Sequence, residues 1–401
     1  MNAPAFPFPS GNRLAPAPEF AERRRTCPFG TVTLPSGDEA ILLVRHEDVA
    51  AAAAEPRLSR NHVLPDAPRN SAEPNFLYDP ELLINQADEA HDRVHRIATQ
   101  ALNNTRVARY VPVVERVAGG LLDAMGPTAD LVEEYCSQLP LLTMCSLLGI
   151  PEADAGRIRR WSGAYTLATP VPPEERAELV AEFTAYLREV VAAPRPDAPL
   201  LLDLVTPPDT DARLDHDELV SIVRLLVSAG VEAPSGVLGR SVLALLSDDA
   251  AHWTALVENR ETVPAAVDEL LRHVHMGNVA ALRVATADVH LPSGTVPAGR
   301  AVLLAWIAAL HDPDAYDEPD VFRVDRPVRK NIGFGGGRHY CPGVGFARAL
   351  IAVALDALLD RTPGLRLTVS PDGIVFAERD IGTLVTALPV RLGQRSPGPP
   401  R

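Results

Sequence analysis

Four cysteines, Cys27, Cys136, Cys145 and Cys341, are scattered along the chain without a C-x-x-C pair. The common zinc spacings are therefore missing, and no disulfide framework is outlined. One cysteine has a distinctive setting. In "FGGGRHYCPG", residues 334 to 343, three glycines precede Cys341, Arg338 and His339 lie between, and Pro342 and Gly343 follow. The run Gly335 to Gly337 allows backbone geometry and close approach that side chains would block, and Phe334 supplies an apolar anchor at its start. A flat ligand fits such a surface. Beyond it Phe346, Ala349, Leu350, Val353 and Ala357 recur at helical spacing, so Cys341 sits at a helix entrance. Unpaired N–H groups there favour a thiolate over a thiol. The chemistry to expect is that of a soft metal ligand.

Three further constellations carry potential chemistry. In "SAGVEAPSG", residues 228 to 236, Pro234 has no N–H to offer the Gly230 carbonyl, which opens a helical turn. Either this is a tolerated kink with Glu232 paired to a distant arginine, or a ligand or ordered water rests on the free carbonyl. In "DELLRH", Glu269 and Arg272 are three apart on one helical face, the spacing of an ordinary ion pair. In "EPDVFRVDRP", Arg326 stands in an irregular stretch where a solvated charge is unremarkable.

The elements that must position these residues are mostly helical. Residues 89 to 103, 106 to 125, 129 to 148, 153 to 167, 173 to 193, 217 to 247, 250 to 257, 261 to 274 and 343 to 361 place apolar residues at helical spacing. Asp215 and Glu218 stand in capping-box spacing and start the longest helix, whose apolar run is interrupted by Arg224, Glu232 and Arg240, against a membrane span. "GTVTLPSGDEAILLVRHEDVAAAA" reads as two strands and a helix, and strand patterns return in "NVAALRVATADVHLPSGTVPAGRAVLLAW" and near the C-terminus. Residues 61 to 80 read as a long irregular segment, a common form for a lid. The expected fold is mainly α with smaller β-sheets, one compact domain over 1–401. Residues 1–18 form a Pro-rich lead-in without signal-peptide character, and 393–401 a disordered tail.

Composition narrows the function. The 401 residues are 46% hydrophobic and 22% charged, enough for a large core, and the net charge of -14 argues against binding nucleic acid or an anionic membrane. Cysteine usage suits a reducing cytoplasm.

The ten residues around Cys341 resemble the cysteine-ligand loop of the cytochrome P450 family, F-G-x-G-x-H-x-C-x-G, at every defined position. The resemblance runs along the whole chain. "ADEAHDRVHRIA" is similar to the helix crossing the haem edge, "LLVSAGVEAP" to the central oxygen-binding helix, and Glu269, Arg272 and Arg326 match the buried E-x-x-R network that braces the cysteine loop. It implies haem b lying between the long central helix and the cysteine loop, with Cys341 as axial ligand, Phe334 near the sulfur and Gly343 in the same loop. His91, His95, Arg283 and His339 match positions that bind the propionates. His95 stands where the family usually has arginine, so a fixed charge has become a titratable one.

The central helix departs from the family pattern. Gly230 and Glu232 match it, but Ala233 replaces the alcohol that helps deliver protons, and Ser235 is turned about 200 degrees away. A substrate hydroxyl or amide that completes the relay is one explanation, as is thought for some family members with alanine here. By analogy Phe76, Asn85, Gln86, Leu226, Val227, Val231, Asn278, Val279 and Leu384 line the substrate pocket, although core packing explains each equally well. The resemblance implies a monooxygenase acting on a mid-sized natural-product scaffold in secondary metabolism, with electrons passing from NAD(P)H through ferredoxin and ferredoxin reductase. Oxidative C–C or C–N coupling or ring closure of an aromatic peptide or cyclic dipeptide is the alternative within catalysis, and a haem-bearing binding protein without turnover the alternative outside it.

Overall fold

The computed structural model describes residues 3–9, 14–60, 67–71, 76–80, 82, 85, 88–206, 213–276, 280–327, 329–379 and 382–393. The N-terminal part holds helix α1 (Pro18–Thr26), strands β1 (Phe29–Thr33) and β2 (Glu39–Leu43), helix α2 (His46–Ala54) and the short strand β3 (Leu58–Ser59). A helical body follows: α3 (Asp88–Ala101), α4 (Asn104–Ala124), strand β4 (Thr128–Asp130), α5 (Gln138–Leu148), α6 (Ala155–Thr166), α7 (Pro173–Ala192), α8 (Pro199–Val205), α9 (His216–Leu246), α10 (Ala251–Glu258) and α11 (Val263–His273). The last third contains β5 (Ala280–Ala285), β6 (Val289–Leu291), β7 (Gly294–Val296), β8 (Ala301–Ala305), α12 (Trp306–Leu310), α13 (Val344–Arg361), β9 (Arg366–Leu367), β10 (Phe376–Arg379), β11 (Gly382–Val385) and β12 (Pro389–Arg391).

The largest sheet has the order β1-β2-β8-β5-β3. Only β2 and β8 pair in parallel within it, and β3 joins β5 antiparallel, with Leu58 opposite Ala285 and Ser59 opposite Val284. The helical body packs around α9, whose Val223, Val227, Leu238 and Val242 are fully buried, against α5, α7 and α13. The capping box at Asp215 and Glu218 forms as the spacing requires, with both hydrogen bonds present at 2.8 and 2.9 Å. The helix continues through Pro234 to Leu246. By length and composition α9 and the stretch Gly337–Arg361 could each cross a membrane. In the fold both are core helices, their apolar side chains sharing one cluster with α4, α5 and α11.

Several expectations are corrected. The lead-in is part of the fold: Ala5 bridges to Thr33, and Phe6 and Phe8 pack edge-on against Phe20 with ring centroids 6.4 and 5.3 Å away. Burying these rings holds a segment that its prolines alone would leave extended. Of the tail, residues 394–401 lie outside the described residues. The expected helix over 129 to 148 is divided. Residues 128–130 pair with β12 instead, Val132–Cys136 form a π-turn, and α5 carries Pro140, which cannot donate to the Cys136 carbonyl. The strand pattern ending in "AVLLAW" stops at Ala305 and turns into α12, because a short continuous apolar run is compatible with either period.

Candidate active site

The cysteine loop lies between α2 and α13. Gly335 and Gly337 have φ of +84° and +57°, and a Cβ on Gly336 would stand 2.9 Å from the Ala53 Cβ. Gly337 comes as close to the backbone of Ala53 and Ala54. The glycines thus answer first to the end of α2, a use the sequence reading did not anticipate. The Cys341 N–H donates to the Phe334 carbonyl at 2.8 Å, which closes the loop just before α13 begins.

The Cys341 thiol does not favour its thiolate in the protein alone. Burial pushes it above the ordinary thiol value, and a hydrogen bond from the Gly343 N–H only partly offsets this. Desolvation outweighs the helix entrance; a bound cation would reverse the balance, since coordination deprotonates a thiol outright. Cys145, in contrast, is a core residue, pushed up to about 12 by burial.

Three residues of the brace come together as expected. The Arg272 guanidinium donates to both Glu269 carboxylate oxygens at 2.7 and 2.8 Å, and Arg326 Nε donates to the first of them at 3.0 Å. All three side chains are buried, 3 to 7% exposed, so this is no surface ion pair. Arg272 also reaches the Leu310 carbonyl, and Arg326 the carbonyls of Asp317, Glu318 and Val321. The network ties α11 to the irregular chain that leads into the cysteine loop.

On the sheet side His339 Nδ1 and His91 Nε2 are 3.1 Å apart. Burial, and then the nearby Arg60 and Arg283, hold His339 far below the ordinary imidazole range. Arg283 is buried and donates to the Leu282 carbonyl. His95 is placed differently from expectation. Its Nε2 is 2.7 Å from the Tyr340 carbonyl and its Nδ1 is 3.5 Å from Thr99 Oγ1, so both nitrogens are committed to protein partners. His95 thereby braces the residue before Cys341. Arg60 was not singled out from the sequence at all. No local signal marks it, because its neighbours come from β5 and the cysteine loop.

In the middle of α9 Ser228 and Val231 are buried, Ala229 is exposed, and Gly230, Glu232, Ala233 and Gly236 are partly covered. Burial pushes the Glu232 carboxyl up to about 7, against the pull of Arg159 and a hydrogen bond with Ser162 on α6. The distant arginine and a functional setting therefore coexist. Ser235 Oγ lies 3.3 Å from Ser137 Oγ, away from Ala233. Leu384 packs over Gly236, where a Cβ would come within 2.7 Å of it.

Other expected pocket residues divide. Val227 and Val231 are 0 and 3% exposed and belong to the core, which removes them from any open pocket, while Leu226 is partly covered. Phe76 lies 6.1 Å from the Tyr165 ring. Asn85 is buried, its amide donating to the Phe76 and Asp79 carbonyls at 3.0 Å. It shapes the loop. Gln86, Asn278 and Val279 lie outside the described residues.

Comparison with known proteins settles the family. The cytochrome P450 family profile matches residues 209–362. The mycinamicin IV hydroxylase/epoxidase of Micromonospora griseorubida is 33% identical over 93% of this chain and 95% of its own length. The chain belongs to the cytochrome P450 family. The vitamin D3 dihydroxylase of Streptomyces griseolus is also 33% identical, over 97% of each chain. Among solved structures, the cytochrome P450 hydroxylase of the leinamycin pathway of Streptomyces atroolivaceus superposes with a TM-score of 0.87 at 35% identity, over 97% of this chain and 100% of that one. As a cytochrome P450, this chain is a haem-thiolate monooxygenase that uses haem b and receives electrons from redox partners.

Proposed function

We propose that this cytochrome P450 oxidises a mid-sized natural-product scaffold that carries its own hydroxyl or amide, in the cytoplasm, with electrons from NAD(P)H through a ferredoxin and its reductase. The relatives support the substrate class: they include a mycinamicin IV hydroxylase/epoxidase and a 6-deoxyerythronolide B hydroxylase. The observation that carries the reading is the turn of α9 where Glu232 is present and Ala233 offers no hydroxyl while Ser235 is engaged with Ser137.

The residues fit haem. Cys341 would supply the sulfur just before α13, with Phe334 and Gly343 beside it, while Arg283 would offer the propionates a fixed charge and His91 and His339 their ring nitrogens. Bound haem supplies dioxygen activation. The chain's own residues do the rest: the Glu269 network holds the loop in place, Glu232 moves between protonated and charged forms near neutrality, and the substrate's polar group bridges the gap at Ala233. Of the arginines on the cysteine side, Arg93, Arg338 and Arg348 are paired with Glu218, Asp92 and Asp268. Exposed Arg96 has no charged partner among the described residues, and is the side chain best placed to meet an acidic ferredoxin.

The test is spectral titration followed by turnover. Hydroxyl-bearing macrolactones should shift the haem spin state and give products with one oxygen from dioxygen, whereas matched deoxy analogues should bind and consume NADPH with little product. Coupled or cyclised products without new oxygen would replace this reading with oxidative coupling, and binding without any product would leave a ligand-binding protein.

A further inference from the structure

Two arginines face each other across the β3/β5 edge. The antiparallel register places Leu58 opposite Ala285 and Ser59 opposite Val284; continued by one residue past the end of β3 it brings Arg60 to Arg283, and the two charges are close enough to act on each other and on His339. Side chains in such a pair share one face of the sheet and lie about 5 Å apart at Cβ, where like charges repel. No carboxylate is paired with either arginine among the described residues. Arg60 Nε is shut off from solvent without a hydrogen-bond partner among the described residues, and Arg283 reaches only a neighbouring backbone carbonyl. His91 and His339 complete the group, and Asp92, a carboxylate paired with His91 and Arg338, is half exposed.

A largely buried set of two guanidinium groups and two imidazoles, with no anion inside it among the described residues, is built to receive one. His95, at the position where an arginine would add charge from α3, is occupied with the Tyr340 carbonyl. We propose that Arg60 is a haem-propionate ligand in this chain, supplying from the sheet edge the fixed charge that position 95 no longer provides, and that His95 serves as a positioning residue for the cysteine loop. This rests on haem occupying the site as set out above. Burial agrees with it: without an anion the Arg60 guanidinium is held down to about 10, an unfavourable state that a carboxylate would relieve.

The experiment is haem transfer from the holoenzyme to excess apomyoglobin, together with resonance Raman of the propionate bending modes, for wild type, Arg60→Gln and Arg60→Lys. Arg60→Gln should release haem about 10-fold faster or more, Arg60→Lys should recover most of the loss, and the propionate modes should shift in both while the red-shifted Soret band of the reduced carbon monoxide complex persists. Wild-type release from Arg60→Gln, or faster release with unmoved propionate modes, would overturn the assignment and leave Arg60 a structural residue. If Arg60→Gln does not fold, the propionate modes of Arg60→Lys decide alone. A wild-type protein lacking thiolate-bound haem would instead reject the haem site itself.

Discussion

Asp79 and Arg224 are 145 positions apart in sequence and joined by a 2.7 Å hydrogen bond between carboxylate and guanidinium. The same carboxylate oxygen accepts from the Tyr165 hydroxyl at 2.6 Å, and Arg224 also donates to Thr184 at 3.0 Å and lies over the Tyr165 ring. One loop is thereby fastened to α6, α7 and α9 at once. Asn85 stiffens it from within through the Phe76 and Asp79 carbonyls.

Asp79→Asn removes a charge paired with Arg224, which is 3% exposed. Breaking a buried pair from one side costs about 3 kcal/mol or more, and here the loss should appear first as loop opening. Hydrogen exchange at residues 76–80 should accelerate at least 10-fold, with faster substrate release. Unchanged exchange would show that the pair does not hold the loop.

Glu232 makes stability depend on pH in a defined direction. Its folded carboxyl holds a proton up to about pH 7, while the unfolded chain releases it near 4.5, so this contribution is fully present below pH 4.5 and lost as pH rises to 7. The loss is about 2 kcal/mol once partial exposure is allowed for. Thermal unfolding of Glu232→Gln should therefore be flatter between pH 5 and 7 than that of the wild type. Turnover of the variant should fall about 100-fold with NADPH consumption retained, and an unaltered yield of product per NADPH would remove Glu232 from proton delivery.

Ala233→Thr returns a hydroxyl to the turn of α9 that carries Glu232. Product per NADPH should rise severalfold for deoxy analogues and change little for hydroxyl-bearing substrates. Ser235→Ala, which removes a hydroxyl that lies beside Ser137 and away from Ala233, should alter coupling less than 2-fold. A large loss in Ser235→Ala would identify the serine as the missing alcohol after all.

Glu269→Gln leaves Arg272 and Arg326 facing a neutral amide inside the protein. A loss of about 3–5 kcal/mol is expected, read as a lower melting temperature and a lower ratio of haem to protein after expression. Full haem content with a lowered melting temperature would separate the brace from cofactor retention.

Much of the site was legible because its signals are local. The cysteine loop, the Glu269–Arg272 spacing and the capping box at Asp215 each depend on residues within one or two turns, and backbone geometry carries such spacing directly into structure. Substrate-lining residues were less legible: Val227 and Val231 follow the same apolar pattern as Leu226, and only the packing around α9 places two in the core and leaves the third at its edge.

The sequence by itself determined the family, its thiolate-haem chemistry, the helix that carries Glu232, and the absence of a hydroxyl at Ala233. Tertiary structure alone decided that Asp79 meets Arg224, that Gly336 is needed against Ala53, that residues 128–130 become a strand, and that Arg60 stands beside Arg283 while His95 turns to the loop. The physical reason is range. A turn of helix is specified by its own side chains, but a buried charge, a strand edge or a close backbone approach is specified by whichever distant segment packing brings to it.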